Sequence, residues 1–176
     1  MTEVYRLWAI QSASPRVNEI LSFAGADDRM VIAPDIESFR ELKLRLLNGA
    51  HTFSCALAFR AGYDMVREAL DAPVFNQYLQ DLMMKEIVPV ISGKIISQDS
   101  AVAFAGQVID RFQNPYIDHY WINISLQYST KMRLRNVPLI KKYIEMFQTP
   151  PKRMCLGFAA FLLFMKSEKK ADGQYY

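Results

Sequence analysis

The sequence predicts a mostly α-helical bundle domain with a small strand-containing portion at its N-terminal end. Apolar residues recur at helical spacing through most of the chain after Pro34, and prolines and capping residues divide that pattern into helix-sized runs. Strand-like composition, rich in β-branched and aromatic residues, is confined to two short stretches before Pro34. The 176 residues suffice for one ordinary domain, and 51% hydrophobic, 12% aromatic and 22% charged residues is the profile of a packed protein. Two parts are expected: a short strand/helix lead-in over residues 1–34 and a helical domain over residues 35–176.

In order, Val4 to Ile10 reads as the first strand and Met30 to Ala33 as the second, closed by Pro34. Between them Ser14 is a candidate N-cap, Pro15 suits the first helical position and Gly25 the C-cap of one helix. Asp35 can cap a helix running through Phe39 to Phe53, with an extension to Leu70 that breaks near Gly49 or Gly62. Asp71 is the expected cap of the next, with Val74, Phe75, Tyr78, Leu79 and Leu82 at helical spacing and Pro89 ending or bending it. A further helix starts near Asp99 or Ser100 and stops at Asn114, because the residue before a proline disfavours helical geometry. Residues 116–137 make another, Pro138 restarts one through Phe147, and "PPKRMCLGFAAFLLFMKSEKK" supplies the last before a frayed "ADGQYY". The longest apolar run, Gly157 to Met165, is about half of the ~20 residues needed to span a bilayer and is expected to be a core helix, not a membrane segment.

Composition also narrows function. A net charge of +3 spread along the chain argues against a nucleic-acid partner. Cys55 and Cys155 lie in apolar helical contexts without CxxC or Cys/His ligand spacing, so reduced thiols in the cytoplasm and no metal are expected. The N-terminus lacks the features of a secretory signal. None of the seven glycines falls in a GxGxxG or P-loop pattern, so no dinucleotide cradle is evident, and Glu86 and Asp110 are carboxylates without an assigned partner.

The stretch "ELKLRLLNGAHTF", Glu41 to Phe53, places an amine, an amide and an imidazole among leucines. At about 100° per residue, His51 lies roughly 80° and Asn48 roughly 140° from Lys43, so the three project from one sector. Phe39, Leu42, Leu46 and Ala50 gather on another sector suited to the core, while Leu44 and Leu47 interleave with the polar trio. A desolvated lysine can act as a proton acceptor near neutral pH, Asn48 can donate to an oxygen that gains negative charge, and His51 can orient the same oxygen. These parts suit alcohol oxidation and ketone reduction. The bland alternative has Lys43 snorkelling to water, Asn48-Gly49 breaking the helix and His51 capping the next segment.

"KLRLLNGAHT" resembles the Lys-x-x-x-x-Asn-x-x-His signature of the mannitol dehydrogenase family, the polyol-specific long-chain dehydrogenases. "AFRAGYDMVREAL", "VIDRFQNPYIDH" and "YSTKMRLRNVPLI" are similar to segments that follow in that family's helical C-terminal domain, so the resemblance covers residues 36–142. Within the family, "EVYRLWAIQ" and "NGAHTFSCALAFRAG" are most similar to the tagaturonate reductases, or altronate oxidoreductases, which interconvert a hexuronic keto acid and its hydroxy acid with NAD(H) and no metal. The resemblance implies Lys43 as catalytic acid/base, Asn48 at the oxyanion and His51 on substrate oxygens. It also implies an N-terminal Rossmann domain that binds NAD and is not in this sequence. The lead-in would join that domain, and the chain alone should be inactive.

Lys131, Arg133 and Arg135 cluster, and matching the family segment favours Lys131 and Arg135 for a substrate carboxylate, against a merely solvated basic helix end. Arg111, Asn114 and His119 surround a helix break, where Arg111 is a further substrate-binding candidate and Asn114 suits a turn before Pro115. Tyr5 and Trp8 suit either a sugar site or packing against the missing domain. The rival reading is a non-enzymatic helical interaction module, whose apolar surface would meet a partner or form a homodimer.

Overall fold

The computed structural model describes residues 7–166, so Tyr5, the expected strand start at Val4 and the tail "ADGQYY" lie outside the described residues. Strands β1 (Trp8–Gln11) and β2 (Met30–Ala33) pair in parallel, with Trp8 opposite Met30 and Gln11 opposite Ala33. They are joined by α1 (Pro15–Ile20) and a 3₁₀ turn (Ser22–Ala26), not by the single helix expected up to Gly25. Helix α1 buries no residue, so packing does not sustain a longer one. A two-stranded sheet is marginal alone and parallel sheets are normally covered on both faces. Here Trp8, Ile20 and Phe23 remain more than half exposed.

The remaining described residues are predominantly helical, as the periodicity predicts. Helix α2 (Glu37–Leu42) runs through a π-helical segment (Lys43–Gly49) directly into α3 (Ala50–Arg60), forming one rod over residues 37–60. Its break falls at Gly62, whose φ of 90° suits glycine, whereas Gly49 stays helical. Then follow α4 (Val66–Asp71), α5 (Pro73–Asp81), a second π-segment (Leu82–Ile87), α6 (Val88–Ile91) and α7 (Gln98–Phe112). Last come α8 (Trp121–Ile124), α9 (Tyr128–Lys131), a third π-segment (Met132–Asn136), α10 (Val137–Phe147) and α11 (Lys152–Phe164).

Three local expectations change. Asp71 closes α4 instead of capping α5, whose start is set by Pro73 at its first position. Ser97 caps α7, accepting from the Ser100 amide at 3.1 Å, slightly ahead of the Asp99 or Ser100 start. Residues 116–120 are not helical. Asn114 Oδ1 accepts the Tyr116 amide, as expected of a turn former, and the Val66 and Trp121 amides donate to His119 and Asp64 carbonyls, tying this stretch to the start of α4.

Pro89 and Pro138 neither end nor restart a helix. Each stands two residues beyond a π-segment, and the helical path continues through it. A proline inside a helix lacks an amide hydrogen and crowds the carbonyl four residues earlier, so the backbone must open there. A widened turn with i→i+5 bonding absorbs that opening without stopping the helix.

Leu42, Leu46, Leu47 and Ala50 of the rod are buried, and α3 is the centre of the core, flanked by α8 and α11. Helix α11 is a core helix on one face only: Gly157, Ala160 and Phe161 are buried, while Leu162 and Leu163 are 55% exposed. A Cβ at Gly157 would sit 2.5 Å from the Phe53 carbonyl oxygen, a backbone atom that cannot swing away. Gly157→Ala should therefore cost about 1–3 kcal/mol of stability, read from the urea midpoint. A midpoint at or above wild type would show that α3 and α11 are not in contact there. Glu86 accepts the Arg153 and Met154 amides at 2.9 Å each, so this buried carboxylate caps α11 from the second π-segment.

Candidate active-site cleft

The rod, the end of α7 and the non-helical stretch after it enclose a cleft of about 390 Å³. Lys43, Leu47, Asn48 and His51 line one wall, Arg111 and Phe112 another, and Asn114, Ile117, Asp118 and His119 the third. The trio marked in the sequence is thus brought to one space together with Arg111.

The π-segment decides how the trio aligns. In an α-helix, residues five apart diverge by about 140°. Where bonding runs i→i+5 they lie almost over one another, which is the spacing of Lys43 and Asn48. The alternative in which Asn48-Gly49 breaks the helix does not occur, and His51 stands inside the first turn of α3 without capping anything.

His51 is the most constrained member. Its ring stacks on Phe112 at 3.8 Å between centroids and 7° between planes, and His119 meets it edge-on at 4.9 Å. Its Nε2 is buried and has no hydrogen-bond partner within the described chain. Burial, and then the charges of His119, Arg111, Arg135 and Lys131, hold its pKa well below the ordinary value of 6.5. The imidazole is therefore neutral at physiological pH.

That burial makes stability depend on pH. Unfolded chain takes up a proton at His51 near pH 6.5, while folded chain resists until lower pH. The stabilising contribution is thus complete above that value and is lost as pH falls toward the folded pKa. His51→Gln should flatten the decline of unfolding free energy below pH 6.5, measured by urea titration at each pH. An unchanged slope would show that the ring protonates freely in the folded protein.

Lys43 is exposed on the rim, so the desolvation expected from its leucine neighbours is not supplied by the described residues. In the π-segment Leu46 and Leu47 turn into the core and Lys43 turns outward. Asn48 is half-buried, and its carbonyl accepts the Thr52 hydroxyl at 2.7 Å. Asp118 on the far wall pairs with Arg67 at 3.1 Å.

Lys131 and Arg135 do not line the cleft, yet both lie close enough to His51 to act on its charge. Lys131 donates to the Ile124 carbonyl at 2.9 Å, and Arg135 donates to the Thr52 hydroxyl oxygen at 3.4 Å. Burial first, and then the charge of Arg135, lowers the Lys131 pKa, and burial lowers that of Arg135. Neither has an acidic partner among the described residues. Reasoning from sequence missed Phe112, Ile117 and Asp118, because it placed the last two on a helix and had no signal for a stacking partner of His51.

Among the described residues no three His, Cys, Asp or Glu side chains group as a metal site, and no helix is long and apolar enough to cross a membrane. Nor do the cleft residues fit a dinucleotide, since no glycine-rich turn stands against a helix N-terminus there.

Comparison with known proteins gives the class first. The solved mannitol 2-dehydrogenase of Pseudomonas fluorescens, determined with NAD and D-mannitol, matches 85% of this chain and 30% of its own, with a TM-score of 0.68 and 25% identity. A substrate-free D-sorbitol dehydrogenase shares the fold, with a TM-score of 0.70 at 17% identity over 94% of this chain and 39% of its own. The family model for the mannitol dehydrogenase C-terminal domain matches residues 35–176, and the chain belongs to that family. The altronate oxidoreductase of Bacillus subtilis (strain 168) is 36% identical over 92% of the chain and 32% of that enzyme. That of Pectobacterium carotovorum subsp. carotovorum (strain PC1) is 34% identical over 97% of the chain and 34% of its own length. The chain thus spans about a third of the curated relatives it matches.

Proposed function

We propose that the chain is the substrate-binding and catalytic domain of an NAD-dependent, metal-independent oxidoreductase that interconverts tagaturonate and altronate. The observation that carries this reading is the buried, unpartnered Nε2 of a neutral His51 in one cleft with Lys43 and Asn48. A buried polar atom without a partner is costly unless a ligand meets it.

In oxidation, Lys43 takes the proton of the substrate hydroxyl, and its pair of O–H electrons becomes the second C–O bond of the ketone as hydride leaves carbon. Asn48 donates its amide hydrogen to the oxygen while it carries negative charge, and His51 hydrogen-bonds the same oxygen or its neighbour. When bound, a nicotinamide held by a Rossmann domain would supply the hydride acceptor. Residues 1–34 join that domain, whose approach desolvates Lys43. Lys131 and Arg135, half-buried cations without acids among the described residues, hold the substrate carboxylate, and Arg111, on the cleft wall, is a further contact for the substrate. Without its Rossmann partner the chain is inactive. It works in the cytoplasm, and the apolar outer face of α11 suits a homodimer contact or, in the rival reading, a non-enzymatic module.

The test is NADH oxidation by this chain joined to its Rossmann half, with tagaturonate, fructuronate, fructose and mannitol 1-phosphate offered in parallel. Turnover of tagaturonate above the others is expected. Preference for another panel member would move the substrate, and inactivity of folded, NADH-binding protein toward all four would overturn the reading.

A further inference from the structure

Two of the three π-segments lie against each other, the one carrying Lys43 and Asn48 and the one that follows Lys131 and contains Arg135. Widened turns leave carbonyls short of intrahelical donors, and each segment supplies side-chain donors to the other. Arg45, from the first, donates through Nη1 to the Leu134 carbonyl at 3.1 Å and the Arg135 carbonyl at 2.8 Å. Leu134 is four residues before Pro138, the position from which a regular α-helix would have no amide to bond, because proline has none. Asn136, from the third segment and fully buried, returns a bond from Nδ2 to the Gly49 carbonyl at 2.9 Å.

Two further contacts stiffen the junction. The Glu41 carboxylate accepts Arg45 Nε at 3.0 Å and Nη2 at 3.4 Å, which aims the guanidinium at the third segment. Arg135 donates to Thr52 Oγ1, which itself donates to the Asn48 carbonyl, so a candidate anchor cation is wired to the backbone of the oxyanion residue. Arg45, Asn136, Glu41, Arg135 and Thr52 do not line the cleft, and the bonds of Arg45 and Asn136 join residues nearly 90 apart in sequence.

We propose that Arg45 and Asn136 are positioning residues, a reciprocal clamp that fixes the distance between the Lys43–Asn48 half of the site and the Lys131–Arg135 half. A substrate held at both ends, carboxylate on the cations and carbonyl at Lys43, is sensitive to that distance, and a misplacement of about 1 Å can cost on the order of 100-fold. A ketose without a carboxylate is held at one end and is much less sensitive. This inference rests on the sugar-acid reading above.

Arg45→Lys keeps a positive charge but has one nitrogen where the guanidinium uses three, so it cannot hold Glu41 and both carbonyls in the same geometry, and Asn136→Ala removes the return bond. In the complete enzyme, each variant should lower kcat for tagaturonate about 10-fold or more while KM stays within about threefold, because the anchor cations remain. The fall should exceed that for fructose by about tenfold. Equal falls for both substrates would mark general structural damage and overturn the proposal, as would no fall. Hydrogen exchange of the 176-residue chain separates this from the functional reading. Should the wild-type enzyme turn over none of the panel, faster exchange confined to residues 43–49 and 132–136 in the variants would still support the clamp, and unchanged exchange would overturn it.

Discussion

Lys43→Ala in the complete enzyme is expected to lower kcat for tagaturonate by about 10²–10⁴, the range typical of a removed general acid/base. The side chain stands on the rim and is exposed, so its truncation leaves no core cavity, and thermal stability should stay within about 0.5 kcal/mol of wild type. That separation matters, because loss of activity in a folded protein points to proton transfer. A small primary amine added to the variant should restore part of the rate by standing where the ammonium stood. A fall of less than about threefold would remove Lys43 from the chemistry. The cleft would then be a binding site with its proton acceptor elsewhere.

Arg135→Ala should raise KM for tagaturonate about 10–100-fold, the equivalent of one charge-assisted hydrogen bond lost from a partly buried anion site. Fructose, which has no carboxylate, should lose little. Lys131→Ala should act in the same direction, and the double variant should fall short of the product of the two, since both cations are assigned to one anion. The basis is physical. Two half-buried cations stand beside one another without an acid among the described residues, each with its charged form disfavoured by burial, and an incoming carboxylate relieves both. Equal losses for charged and uncharged substrates would assign the pair to the fold, through Arg135 and the Thr52 hydroxyl.

The sequence and the structure agree most closely where the cause is local. β-Branched residues place Met30–Ala33 as a strand, Pro15 starts a helix, and the glycine at position 62 takes the left-handed backbone that ends the rod. Lys43, Asn48 and His51 likewise share one wall, because helical spacing aims them into one sector and the π-segment brings Lys43 and Asn48 further into line. They diverge where the cause is distant. Pro89 and Pro138 look like helix ends to any local rule. They lie within continuous helical paths because the backbone can widen and, before Pro138, because Arg45, from a segment 89 residues away, bonds the Leu134 carbonyl.

By itself, then, the sequence determined a mostly helical domain with two short strands, its membership of the mannitol dehydrogenase C-terminal domain family and the identity of the polar trio. The tertiary structure decided the state of that trio. It buried His51 against Phe112 and among cations, so that the imidazole is neutral, and turned Lys43 to solvent. It formed the third wall of the cleft from residues 114–119, which periodicity had assigned largely to a helix, and used Glu86 to cap α11. The reason is one of range. Backbone preference and periodicity act over a few residues, whereas desolvation, charge and the partners of freed carbonyls depend on groups that only folding brings together.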